Sequence, residues 1–175
     1  VVWGKCFNAG QTCVAPDYIF VPRDKLLDFT RAARAAARRY FPEGIDQENY
    51  TSIINQRHWK RINSLIEDAK VNGVEVLPLL DVDSSKLLKR NQIPPTLLLQ
   101  PTRHCKIFEE EVFGPVLPVF VYDELSEVID VIRLNPDPLA LYVFSNHKDE
   151  ISHILNRVSA GNVAINDTLL EYIQN

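Results

Sequence analysis

Short β-branched and aromatic runs alternate with longer amphipathic stretches along this chain, and the alternation leaves few folds open. Asp17 to Val21 reads as a strand stopped by Pro22. Arg23 to Tyr40, rich in Ala, Leu and Arg, reads as a helix with Leu26, Leu27, Ala33, Ala37 and Tyr40 on one face. Phe41-Pro42-Glu43-Gly44 ends it. A second helix spans Asn55 to Lys70, its apolar stripe made of Trp59, Ile62, Leu65, Ile66 and Ala69. After an Asn72-Gly73 turn, Val74 to Leu80 is a strand, and the polar run Asp81 to Asn91 is a surface loop. Ile93 to Leu99 starts extended, because each residue before a proline is pushed away from helix. Val116 to Tyr122 has the continuous apolar character of a strand buried on both faces. Glu124 to Asn135 is a helix with Leu125, Val128, Ile129 and Ile132 inward, and Leu139 to Ser145 is a strand. Lys148 to Ser159 is a helix with Ile151, Ile154, Leu155 and Val158 inward, and Asn162 to Asn166 is the last strand. Strands separated by crossover helices of about 10–15 residues imply an α/β fold, a mostly parallel sheet sandwiched by helices.

Composition narrows the function classes. A chain of 175 residues is long enough for one full domain and short for two. With 46% hydrophobic and 24% charged residues it is not a disordered chain. A net charge of −4 gives no general attraction to nucleic acid or an anionic membrane. Arg31, Arg34, Arg38 and Arg39 therefore read as a solvated helix face rather than a phosphate patch. No apolar run approaches the ~18 residues of a membrane-spanning helix. Cys6, Cys13 and Cys105 are an odd count without metal-ligand spacing, which fits free thiols in a reducing compartment. His58, His104, His147 and His153 form no metal-ligand pattern, so no metal is expected.

Two segments carry chemistry. In parallel α/β sheets ligands bind beyond the carboxyl ends of strands, on loops opening into helices. In Phe7-Asn8-Ala9-Gly10-Gln11-Thr12-Cys13, Gly10 permits a tight turn that would place Cys13 at a helix N-terminus. There oriented N–H groups favour thiolate and can donate to an oxyanion formed after attack on a carbonyl. A lone cysteine beside a glycine is also a common structural feature, and Cys6 and Cys105 read that way. In Glu109-Glu110-Glu111-Val112-Phe113-Gly114-Pro115, carboxylates lead into an aromatic and a bend at the mouth of a buried strand. A solvated loop accounts for the carboxylates. The aromatic fits a cleft that holds the ribose hydroxyls and flat ring of a nucleotide cofactor.

Together the segments are recognisable. Phe7 to Cys13 resembles the cysteine motif of the aldehyde dehydrogenases, and Glu110 to Pro118 resembles their cofactor-side motif. Cys13 to Tyr18, Ile53 to His58, Pro138 to Ser145 and Gly161 to Asp167 are similar to the class 3 branch, which includes fatty aldehyde dehydrogenases. The resemblance is collinear over nearly the whole chain and weakest across Asp81 to Asn91.

It implies that Cys13 attacks an aldehyde, giving a thiohemiacetal whose oxyanion is held by the cysteine's own N–H and an asparagine amide. Oxidation by NAD or NADP, with NAD favoured, then leaves a thioester that a glutamate-activated water hydrolyses to the acid. Glu111 matches the residue that binds the nicotinamide ribose, and Phe113 the aromatic that packs near the nicotinamide. The expected substrate is an aliphatic or aromatic aldehyde, the full-length protein a homodimer, and the location cytoplasmic or on an intracellular membrane, the latter only through a C-terminal tail. The general-base glutamate, the oxyanion asparagine and the dinucleotide-binding half have no counterpart among these residues. No G-x-G-x-x-G is present, and the chain opens on Val1 without Met. Residues 1–175 are thus expected to be one catalytic, thiol-bearing domain truncated at both ends, with little turnover alone. Two other readings stand beside it: a non-catalytic interaction module or inert piece that keeps Cys13 by descent, and a redox sensor using Cys6 and Cys13. Trp59 is read as a core or interface residue, and Asn166-Asp167 as a turn or as an approach to the substrate mouth.

Overall fold

A computed structural model describes residues 1–45, 50–82 and 90–169. Helix α1 (Val2–Cys6) leads through a 3-10 turn (Phe7–Gly10) to strand β1 (Ile19–Pro22), and a second 3-10 turn (Arg23–Lys25) opens α2 (Leu26–Tyr40). Then come α3 (Gln56–Val71), β2 (Glu75–Pro78), β3 (Thr96–Leu99) and β4 (Val116–Tyr122). Helix α4 (Leu125–Arg133), β5 (Ala140–Val143), α5 (Lys148–Leu155) and β6 (Asn162–Ile165) complete the described elements. The main sheet has the order β1-β4-β3-β2, and β5 pairs with β6 separately.

Strand β4 organises the main sheet. It runs parallel to β1, with Phe120 opposite Phe20, and parallel to β3, with Leu117 opposite Leu97. Its first four residues are buried. The parallel pairings confirm the expected α/β architecture, with β2 as an antiparallel edge on β3. Pro118 lies inside this central strand, where a missing N–H normally breaks a ladder. It is opposite Leu98 of β3, whereas the ladder to β1 begins only at Val119. The absent donor therefore faces a side with no strand to serve.

Helix α3 follows its sequence pattern closely. The Asn55 side chain caps it by accepting from His58 N at 2.9 Å, and Ile62, Leu65, Ile66 and Ala69 are its buried residues. Trp59 is half-buried and donates from Nε1 to the Gln92 carbonyl. Helix α2 departs from expectation. Only Ala33 and Ala37 are buried, while Leu27 is 68% exposed and Tyr40 44%. Small alanines bring the helix close to its neighbours, so the wider face stays outside. Arg31 and Arg39 are exposed, Arg38 pairs with Asp81 at 3.4 Å, and Arg34 donates to the Pro78 carbonyl, as a solvated face requires.

Helix α4 buries Val128 and Ile129. Helix α5 buries none of its own residues, and Leu155, expected inward, is exposed. Residues 83–89 of the expected surface loop lie outside the described residues. No described helix is long and apolar enough to cross a membrane.

Leu98 is fully buried in β3. Leu98→Ala is expected to cost about 2–5 kcal/mol in urea unfolding, through lost burial and a residual cavity. Leu27→Ala, on the exposed side of α2, should change stability by less than about 0.5 kcal/mol.

Candidate active site

The thiol loop is built by an unusual backbone run. Asn8 (φ 48°), Ala9 (φ 52°) and Gly10 (φ 71°) are consecutive left-handed residues that reverse the chain after α1. Asn suits that region and Gly adopts it freely, but Ala is strained there. Side chains stabilise the reversal. Asn8 Nδ2 donates to the Gln11 carbonyl and Gln11 Nε2 to the Asn8 carbonyl, each at 3.0 Å. Gln11 also donates to the Ser52 carbonyl and accepts from Ile54 N at 2.9 Å, tying the loop to the entry of α3.

Cys13 is an exposed free thiol. It stands in a turn closed by Ala15 N donating to Thr12 O at 2.9 Å, and not at the helix N-terminus expected from the sequence. Chain continuation into Pro16 and β1 leaves no room for a helix start. The buried Val14 fixes the turn from below, its carbonyl accepting from Tyr142 Oη at 2.8 Å.

The acidic segment leads from a 3-10 turn (Lys106–Phe108) into β4. Val112 is 1% exposed, while Glu111 and Phe113 on either side of it are exposed. Phe113 is left-handed at φ 45°. Asp17 Oδ1 accepts from Val112 N at 3.0 Å. Arg61 of α3 donates to the carbonyls of Glu111 and Val112 and pairs with Glu110 at 3.2 Å.

The two segments meet. A Cβ on Gly10 would lie 2.3 Å from the Gly114 carbonyl oxygen, and one on Gly114 would lie 2.6 Å from Ile62 Cδ1 of α3. Cys13 precedes β1 and Phe113 precedes β4, and these strands are parallel neighbours, so both segments lie at the amino end of the sheet. The carboxyl-end location expected for a parallel sheet does not hold. Here the loops entering the strands, not those leaving them, carry the candidate residues.

Three charged residues that the sequence reading passed over complete the cluster: Lys5, Asp17 and Arg61. Lys5 is 3% exposed. Burial lowers its pKa to about 8, opposed by the attraction of Asp17, Glu111 and Cys6. Burial also raises the Glu111 pKa, reinforced by Asp17 and opposed by Lys5 and Arg61. A lysine on a helix and an arginine two residues past a tryptophan carry no motif, so only the tertiary arrangement reveals them.

The remaining candidates resolve simply. Cys6 and Cys105 are buried, and burial pushes the Cys6 thiol up to about 12, which makes it inert rather than a partner for Cys13 in redox sensing. Among the described residues no group of three His, Cys, Asp or Glu could hold a metal. Asn166 is left-handed, and its side chain accepts from Ser145 N and donates to Ser145 O, a turn that joins the ends of β5 and β6. With Asp167, Trp3 and Phe144 it also lines a shallow cavity of about 310 Å³.

The Aldehyde dehydrogenase family model matches residues 1–175. This chain belongs to the aldehyde dehydrogenase family. It is 38% identical over 175 residues to a probable coniferyl aldehyde dehydrogenase of Caulobacter vibrioides, covering 99% of this chain and 36% of that protein. It is 33% identical to aldehyde dehydrogenase family 3 member A2 of Rattus norvegicus over 177 residues, covering 100% of this chain and 34% of that protein, which bears out the class 3 likeness. The substrate-bound state of AldH from Staphylococcus aureus is similar at a TM-score of 0.88 and 37% identity, over 98% of this chain and 36% of that one. This aldehyde dehydrogenase chain thus spans about 36% of the length of the first curated relative it matches.

Two outcomes follow from this geometry. Gly10→Ala should separate the thiol loop from the Gly114 segment, detectable as faster amide exchange across residues 109–114 at unchanged helix content. Between pH 8 and the ordinary 10.5, the unfolded Lys5 holds a proton that the folded one has released, so raising pH across this window favours the fold. Cys6 opposes this above the ordinary 9.0, where the unfolded thiol ionises and the folded one does not. Urea midpoints should therefore rise from pH 8 to 9 in the wild type relative to Lys5→Met, which lacks that gain.

Proposed function

We propose that this chain is the thiol-bearing catalytic portion of an aldehyde dehydrogenase that converts an aldehyde to a carboxylic acid with NAD or NADP, NAD being favoured. The observation that carries the reading is the docking of an exposed thiol loop, backbone against backbone at Gly10 and Gly114, onto a segment presenting Glu111 and Phe113 outward.

Cys13 is the nucleophile in this reading. With its proton released to water, the thiolate sulfur bonds to the carbonyl carbon of the aldehyde while the carbonyl π electrons move to oxygen. The Cys13 N–H is near enough in the chain to donate to that oxyanion. A bound nicotinamide dinucleotide supplies the hydride acceptor. Glu111, an exposed carboxylate with acceptor oxygens, suits ribose hydroxyls, and the 40% exposed Phe113 ring suits a flat heterocycle. These residues suit the cofactor because both are exposed, on either side of the buried Val112. The class 3 likeness favours long-chain or aromatic aldehydes.

A second reading, an interaction module, draws on the exposed apolar side chains Phe144, Leu155, Val163 and Ile165 around β5 and β6. Aldehyde protection of the thiol separates the two. An aldehyde should slow iodoacetamide modification of Cys13 in a saturable way, followed by peptide mass spectrometry, and leave Cys6 and Cys105 unaffected. Absence of protection at any aldehyde concentration would remove the catalytic reading and leave the module.

A further inference from the structure

The Val112 peptide is held on both sides by charged side chains from other elements. Asp17, from the chain entering β1, accepts its N–H at 3.0 Å. Arg61, from α3, donates Nη2 to its carbonyl and Nη1 to the preceding Glu111 carbonyl at 3.2 Å. Arg61 also pairs with Glu110. Val112 is 1% exposed and the charge-assisted bonds to its own N–H and carbonyl are partly buried, whereas the Arg61 bond to the Glu111 carbonyl is exposed.

We infer that Asp17 and Arg61 are positioning residues for the cofactor-facing segment, clamping Val112 so that Glu111 and Phe113 are presented together. This rests on the cofactor reading of Glu111 and Phe113 given above. The clamp addresses a specific need. Phe113 is left-handed, a conformation a phenylalanine does not keep unless its surroundings impose it. Asp17 lies four positions after Cys13, so the same carboxylate that fixes the cofactor segment also ties it to the thiol loop. Arg61 is anchored on a helix whose Ile62 supports Gly114. Arg61 thus sits within a helix and Asp17 two residues before β1, where a side chain can set a neighbouring backbone.

The test compares Asp17→Ala, Asp17→Asn, Arg61→Ala, Arg61→Lys and Glu111→Ala for NAD+ binding by calorimetry and for amide exchange at Val112. Asp17→Asn keeps an acceptor oxygen and should behave close to wild type. Asp17→Ala should speed Val112 exchange and weaken NAD+ binding by about tenfold or more. Arg61→Ala should weaken binding similarly, and Arg61→Lys, which cannot span two carbonyls, by less. If Arg61→Ala does not fold, the Asp17→Ala and Asp17→Asn pair decides. NAD+ binding lost in Glu111→Ala but kept in Asp17→Ala and in any folded Arg61→Ala overturns the clamp alone. Unchanged Val112 exchange in Asp17→Ala and in any folded Arg61→Ala overturns the clamp whether or not the chain takes up NAD+. Glu111→Ala that binds NAD+ as well as wild type overturns the cofactor reading and the inference with it.

Discussion

A Cβ on Gly10 would collide with the Gly114 carbonyl and one on Gly114 with Ile62, and the candidate site is organised around these two contacts. The left-handed run from Asn8 to Gly10 exists to deliver it, and Gln11 braces the run against the residues before α3. Beneath the second glycine lies Ile62, so thiol loop, acidic segment and helix stack in direct succession. Hydrogen bonds such as the one Asp17 accepts from Val112 N and those Arg61 donates to the Glu111 and Val112 carbonyls weaken steeply when misaligned.

Burial sorts the chemistry of the same neighbourhood. Cys6, enclosed in the core, keeps its proton to about pH 12, while Cys13 in the same short segment is exposed. Lys5 is enclosed as well, and Asp17 and Glu111 supply the negative charge that keeps its pKa from falling further. One helix of five residues therefore contributes an inert thiol and a cation whose charge is sensitive near neutral pH, and leads into the loop that presents the exposed thiol.

Strand β4 links this site to the rest of the fold. Its amino end emerges from Phe113-Gly114-Pro115, and its parallel pairing with β1 brings the chain after Cys13 alongside. The site consequently lies at the amino end of the paired strands, opposite to the rule for doubly wound sheets. Family membership fits this arrangement, since the whole chain matches the aldehyde dehydrogenase family and the solved relative superposes over nearly all of it.

Local periodicity was legible from residues alone. The stripe of α3, the apolar run of β4 and the α/β alternation are short-range patterns, repeating every few residues and visible without knowing any contact. Cys13, Glu111 and Phe113 stood out as candidates, because their neighbours form recognisable motifs. The narrow buried face of α2, the turn rather than helix at Cys13, and the exposure of Leu155 were not, since each depends on what packs against the element. The placement of Lys5, Asp17 and Arg61 beside these candidates was equally hidden. Sequence determined which segments form strands and helices and which residues carry reactive groups. Only the tertiary structure decided that Gly10 meets Gly114 and that Val112 is held between Asp17 and Arg61, because residues far apart in the chain are brought together by packing, which no local pattern records.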